Sequence, residues 1–196
     1  PDSNLANKEN YPVVHISYQD ALAYCKWTNR ALPTEAQWEL AARGTLQNAI
    51  YTWGNENDKL DKNANTWQGS FPTMNTENDG YMLMSPVKTF PSNGLGLFDM
   101  AGNVWEFTSD WYNTDYYQEL INTATVTRNP KGANAAKNPN NPQQAERIIK
   151  GGSFLCNESY CSSFRISARM GMTEDSSSDH VGFRTITTIE MLSVNK

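Results

Sequence analysis

Two capped helix starts, followed by a long remainder with no hydrophobic period, constrain this chain more than any other feature of its sequence. Ser17 with Asp20 three residues on has the form of a capping box, in which side chain and backbone exchange hydrogen bonds at a helix start. Ala21, Leu22, Tyr24, Cys25 and Trp27 follow at helical spacings, which turns Cys25 inward. Thr34 with Gln37 repeats the signal after Pro33, with Trp38, Leu40 and Ala41 apolar and Gly44 a C-terminal stop. Beyond Gly44, Asn, Gly, Pro, Ser and Thr recur every few residues and the apolar positions are mostly isolated aromatics. The rest therefore reads as loops and short strands. Hydrophobic residues make up only 38%, yet there are six Trp and nine Tyr, so the core is built from large rings on a loop-rich frame.

Ahead of the first helix, residues 11–16 (Tyr-Pro-Val-Val-His-Ile) suit a short strand with Pro12 at its edge or start. Residues 127–146 are polar and proline-rich without period and read as a surface loop. The flanking stretches are too irregular to fold separately, so residues 1–196 are read as a single domain. The chain opens at Pro1 without a leader, which suggests a processed product or a fragment. Sixteen basic against twenty-one acidic side chains give a net charge of -5 with no basic face, which argues against nucleic acid as a partner. No apolar run is long enough for a membrane span.

Three cysteines leave at least one thiol free and rule out a small disulfide scaffold. Cys156 and Cys161 stand five residues apart. Two thiolates make a soft site suited to Cu(I), with room for a third thiolate. A structural disulfide or two inert core thiols would use the same residues. Zinc is a weaker rival, because only His15 and His180 remain and neither has zinc-ligand spacing. Asn157-Glu158-Ser159 fits a glycosylation acceptor, but a glycan between the two cysteines would block access, so the match is read as coincidence.

Five ordered stretches carry a family resemblance: residues 11–17; residues 30–39 (Arg-Ala-Leu-Pro-Thr-Glu-Ala-Gln-Trp-Glu); residues 94–106, ending in Gly-Asn-Val-Trp-Glu; Arg147 to Cys161; and Gly182-Phe183-Arg184. Together they resemble the sulfatase-modifying-factor family of formylglycine-generating enzymes. The resemblance implies an α+β fold, a C-type-lectin-like formylglycine-generating-enzyme fold with low regular secondary structure, and a domain that here lacks its N-terminal segment. It implies that Cys156 and Cys161 hold copper as Cu(I), and that molecular oxygen oxidises a cysteine of an unfolded sulfatase polypeptide, in a Cys-x-Pro-x-Arg motif, to Cα-formylglycine. The competing reading is a non-catalytic binding or cell-surface module on the same frame, whose members typically lack the cysteine pair.

By position, the family pattern puts Ser153 beside the oxygen site, Trp105 and Tyr160 in the pocket walls and Arg169 near bound substrate. His180 stands where animal members have Asn and retains a polar group there. Taken alone, Ser153 would be a turn residue, the rings core residues and Arg169 a solvated charge. The resemblance also implies structural calcium, which gathers oxygen ligands and can tie irregular loops. One site would use Asn65 and Asp79 with the backbone of Thr66 and Tyr81; a second would use Asp99 and Glu106 with the backbone of Gly102 and Val104. Each cluster alone would read as a turn. The partners of the additional disulfides in animal relatives are here Ile166 and Thr185, which leaves Cys25 unpaired and points to a bacterial protein of the cytoplasm or periplasm.

Overall fold

The computed structural model describes residues 7–123 and 125–193. In chain order the elements are α1 (Tyr18–Trp27), α2 (Glu35–Arg43), a 3-10 turn (Asn57–Lys59) running into α3 (Leu60–Asn63), β1 (Gly69–Ser70), β2 (Met74–Asn75), β3 (Trp105–Trp111), α4 (Tyr116–Asn122), β4 (Glu146–Lys150), β5 (Met170–Thr173), β6 (Val181–Phe183) and α5 (Ile189–Ser193). The α+β frame with little regular structure agrees with the sequence reading.

Both helices start on their caps. The Ser17 hydroxyl accepts from the Asp20 N–H at 3.2 Å, and the Asp20 carboxylate accepts from the Ser17 N–H at 2.9 Å. Thr34 and Gln37 make the same exchange, and Gly44 closes α2 in the left-handed region. The buried stripe is narrower than the apolar pattern suggests. Tyr18, Ala21 and Cys25 on α1, and Trp38 and Ala42 on α2, are buried, whereas Leu22, Tyr24, Trp27 and Leu40 are exposed. A helix packed on one side buries positions three and four apart, and the residues between them turn outward.

The main sheet has the order β5-β4-β3-β6, with β6 parallel to β3 and the other pairs antiparallel. Trp105 to Thr108 are all buried, because β3 is covered on both faces and has no wet side to give an alternating pattern. Trp105 and Phe107 join Tyr18, Ala21, Cys25, Ile149, Phe164 and Val181 in one core cluster. Glu106, of opposite direction, accepts a 2.7 Å hydrogen bond from Trp38 Nε1 of the second cluster, which includes Ala42, Met100 and Ile166. Burying each large ring contributes on the order of 1.5–3 kcal/mol.

The expected strand at residues 11–16 does not form. His15 adopts φ +57°, and its N–H bonds the Ser178 carbonyl at 2.9 Å, so the chain bends and is pinned to the loop ahead of β6 instead of pairing along a ladder. Residues 127–146 are a loop as expected up to Glu146, which opens β4 and accepts hydrogen bonds from Asn138 (2.7 Å) and Asn141 (2.9 Å).

A buried ionic cluster locks α2 to the sheet. Lys150, fully buried at the end of β4, reaches Glu39 at 2.6 Å and Glu35 at 3.6 Å and lies over the Trp38 ring. Arg169 grips Glu35 from the other side: Nη2 donates to Oε2 at 2.9 Å, and Nε lies 2.8 Å from Oε1 with poor hydrogen-bond alignment. The Glu35 N–H bonds Asp110 Oδ2 at 2.9 Å. Burial pushes the Glu35 carboxyl up, and Lys150 and Arg169 oppose that shift.

Candidate active site

The segment after β4 turns sharply inward. Gly152 has φ +72°, and a Cβ there would meet the Phe164 backbone nitrogen at 2.9 Å and the Cys156 sulfur at 3.3 Å, so only glycine lets the chain pass this close to the thiol. Ser153, buried, follows. Its carbonyl accepts from the Cys156 N–H at 2.9 Å, and its side chain also bonds Cys156. Cys156 itself is buried at 2% exposure, Cys161 is half-buried, and both thiols are free.

The loop between the cysteines is wound on Asn157. The Asn157 carbonyl accepts from the N–H groups of Tyr160 (3.1 Å) and Cys161 (2.7 Å). Its side-chain Oδ1 accepts from Ser159, in an Asx turn, and its Nδ2 donates to the carbonyls of Trp67 (3.1 Å) and Gly69 (2.9 Å). With its amide consumed and the residue buried, Asn157 is not presented as a glycan acceptor. One further bond, from the Trp67 N–H to the Cys156 carbonyl at 3.0 Å, completes the seam between this loop and the segment leading into β1.

Each thiol is the largest influence on the other's protonation. Cys161, followed by burial, pushes the Cys156 thiol above the usual range. Cys156, with Ser163 and His180 acting in the same direction against burial, lowers Cys161 to about 6.

The structure brings together most of the residues expected here. Trp105 shares the core cluster with Cys156, and Cys161 packs against it. The Trp105 N–H bonds the His180 carbonyl at 2.8 Å, and the His180 ring sits edge-on to Phe154 and beside Asp179 (2.9 Å). Tyr160 is 70% exposed and stacks on Phe71, so it is not a core ring. Arg169 does not join this group. Its guanidinium is engaged by Glu35 and by the Asn113 carbonyl (3.0 Å), between the rings of Tyr112 and Tyr117, so these contacts give no support to the expected substrate role. Asn157 and Ser163 went unread in the sequence; an Asn with Ser two residues on between paired cysteines is an Asx-turn signal that pointed to the first.

The proposed calcium ligands divide in two. Asn65 is buried at 1%, and its Oδ1 has no hydrogen-bond partner, an orphan oxygen of the kind a cation satisfies. Asp79 is nearby through the Thr66 N–H, which it accepts at 2.9 Å, and burial raises its pKa. At the second set, Asp99 (φ +56°) and Gly102 (φ +70°) shape a left-handed turn, but Glu106 is already paired on both oxygens with Arg184. Those residues fit a cation less well, since it would share Glu106 with a guanidinium. Among the described residues, no group of three or more His, Cys, Asp or Glu side chains clusters as a metal site.

The frame is thus an α+β domain of low regular structure in which two free thiols, Cys156 buried and Cys161 half-buried, lie against an aromatic core. Residues 1–189 match the model of the Sulfatase-modifying factor enzyme 1-like domain, and the chain belongs to that family, with the formylglycine-generating-enzyme fold. It is 45% identical over 185 residues to the formylglycine-generating enzyme of Mus musculus, an alignment covering 94% of this chain and 46% of the relative. With the formylglycine-generating enzyme of Thermomonospora curvata it shares 46% identity over 186 residues, covering 94% of this chain and 58% of the relative. PvdO from Pseudomonas aeruginosa has a similar structure, with a TM-score of 0.68 at 25% identity, covering 90% of this chain and 61% of that one. The chain spans about half the length of the curated relatives it matches. Among the described residues no helix is long and apolar enough to cross a membrane.

Proposed function

We propose that this chain carries the oxidase centre that converts a cysteine of an unfolded sulfatase segment, in a Cys-x-Pro-x-Arg motif, to Cα-formylglycine. The observation that carries the reading is the Cys156–Cys161 pair, two free thiols brought together against one aromatic core cluster. Two soft sulfur donors suit Cu(I) in low coordination and would leave a place for the substrate thiolate. Bound copper would supply the activation of oxygen. The chain's own part is to offer Cys156 and Cys161 as the two sulfur ligands, which would both be held as thiolates when copper is bound, to hold Ser153 against Cys156, and to pack Trp105 against the pair. In the net reaction the cysteine carbon is oxidised to an aldehyde and its sulfur leaves as sulfide. The net balance consumes one O2 and two electrons and two protons from an added thiol reductant, and gives one aldehyde, one sulfide and one water.

Calcium at Asn65, Thr66, Asp79 and Tyr81 would brace the segment that hydrogen-bonds Cys156 and Asn157, and the orphan Asn65 oxygen supports that placement. The second set at Asp99, Gly102, Val104 and Glu106 is the weaker of the two for the reason given by Arg184. His180 and Tyr160 would contact the substrate polypeptide at the pocket rim. Similarity to bacterial relatives supports a bacterial setting.

The test supplies Cu(I), oxygen, a thiol reductant and a Cys-x-Pro-x-Arg peptide, and follows conversion of thiol to aldehyde by mass spectrometry. Conversion that disappears in Cys156→Ser and Cys161→Ser is expected. A copper-loaded protein that binds the peptide but never converts it would overturn the oxidase reading in favour of a binding module.

A further inference from the structure

The loop that crosses the end of β3 encloses a hollow of about 370 Å³ with no charged side chain in its lining. Its floor is Trp111, the last residue of β3, and its walls come from Asn134, Pro142, Gln143, Gln144 and three alanines. Both walls are anchored. On one side Ala133 bridges to Trp111, the Lys137 N–H bonds the Tyr112 carbonyl at 2.8 Å, and the Asn113 side chain donates to the Ala135 carbonyl at 3.3 Å. On the other, Asn141 donates to Gln144 Oε1 at 3.2 Å and, like Asn138, to the Glu146 carboxylate. The Trp111 ring is fixed from behind. The Arg147 guanidinium lies 3.3 Å from its centroid and is itself held by Glu174 and the Ser109 carbonyl, both at 2.8 Å. With that face taken, the ring meets the hollow with its other face and its edge. The side-chain amides of Asn134 and Gln143, both exposed, have no hydrogen-bond partner among the described residues. Gln144 and Ala145 also line an adjoining hollow of about 320 Å³ that reaches Thr173 and Asp175.

We propose that this groove binds a neutral oligosaccharide, with one pyranose ring stacked on Trp111 and its hydroxyls bonded to the Asn134 and Gln143 amides. The site is independent of the oxidase reading, since Trp111 and Trp105 stand at opposite ends of β3, about 20 Å apart. A pyranose carries C–H groups on its faces and hydroxyls around its edge. A flat indole takes the faces, and amides, each with donors and an acceptor, take hydroxyls in either orientation. The size of the groove suits two sugar rings across its two hollows. Other ligands fit worse. A cation on the open face of Trp111 would be repelled by the guanidinium on the covered one. An anion would find no positive group in the lining and would face the Glu174 and Asp175 carboxylates of the adjoining hollow. A peptide strand would need free backbone groups, and the inner wall already bridges to the chain at Trp111 and Asn113.

The test is saturation-transfer NMR on the whole chain, with maltotriose, cellotriose and chitotriose as neutral probes, trigalacturonate as an anionic probe and triglycine as a peptide probe. Transfer to at least one neutral trisaccharide is expected, with a Kd on the order of 1 mM, and none to trigalacturonate or triglycine. Trp111→Ala should weaken that binding by about 10-fold and Trp111→Phe by about 3-fold, the range of an aromatic contact. Because Trp111→Ala also uncovers Arg147, the exposed pair Asn134→Ala and Gln143→Ala gives a second measure. Together these two should weaken binding by about 10-fold, the worth of two hydrogen bonds, with the unfolding midpoint unchanged. Absence of transfer to all three neutral probes would overturn the proposal. So would binding that survives unaltered in both Trp111→Ala and the paired amide variant, or tighter binding of trigalacturonate or triglycine. None of these results touches the oxidase reading, because peptide conversion should be unchanged in Trp111→Phe.

Discussion

The Glu35 cluster and the thiol pocket are both buried polar assemblies drawn from distant parts of the chain, and they are finished in opposite ways. Around Glu35, charge meets charge: Lys150 reaches two carboxylates, Arg169 has Glu35, a carbonyl and two rings, and Asp110 is met by a backbone N–H. At the thiol pair the two sulfurs have chiefly each other and a few hydroxyl and backbone donors. A cluster that answers every charge from within holds elements together. Soft donors left chiefly to one another are not answered by opposite charge in that way, which is the feature the proposed function builds on.

That contrast can be broken by experiment, and the largest expected effect lies on the ionic side. Glu35→Ala leaves Lys150 and Arg169 buried without their shared partner, which should cost about 3–5 kcal/mol in urea unfolding. A change below about 1 kcal/mol would show that the cluster is not the lock described here. Next comes the scaffold of the thiol loop. Asn157→Ala strips partners from the Trp67 and Gly69 carbonyls and from Ser159, and should cost about 2–3 kcal/mol, with water recovering part of the loss at the half-open rim. If it proves as costly as Glu35→Ala, the two regions are not distinct in kind.

The thiols should matter least to stability and most to chemistry. Cys161→Ser should shift stability by about 1 kcal/mol or less in the same unfolding assay while removing peptide conversion altogether. The subtlest effect is in pH. Cys161 is lowered from the ordinary 9.0 to about 6, so the folded protein binds fewer protons than the unfolded chain between those values. Its stabilising contribution is full above the unfolded value and is lost as pH falls through the folded one. Thiolate absorbance or alkylation rate should accordingly titrate with a midpoint near pH 6, and Cys156→Ala, by removing the group that dominates the shift, should move the midpoint upward.

Much of the fold was legible where causes are local. The capping boxes at Ser17 and Thr34 and the stop at Gly44 lie within a few residues of the helix ends they fix, so those ends follow from the sequence. Residues 11–16 misled because an apolar run carries strand propensity but not a partner, and His15 bends to meet Ser178 instead. Exposed Trp27 and Leu40 misled for a related reason: spacing shows which residues share a face, while only the neighbouring elements decide which face is covered. Arg169 was assigned by its position in a pattern, and its pairing with Glu35, far away in the chain, could not be read from that pattern.

The sequence by itself determined the family, the helix limits and the pair of thiols, since ordered motifs, caps and cysteines are properties of the chain that no packing is needed to read. Only the tertiary structure decided that Cys156 and Cys161 meet against one core cluster, that Asn157 is a pin and not a glycan acceptor, that Glu106 is claimed by Arg184, and that Phe71 stacks on Tyr160. Each of these is a contact between residues far apart in sequence or a balance of burial against hydrogen bonding, and such quantities exist only once the loops have been brought together.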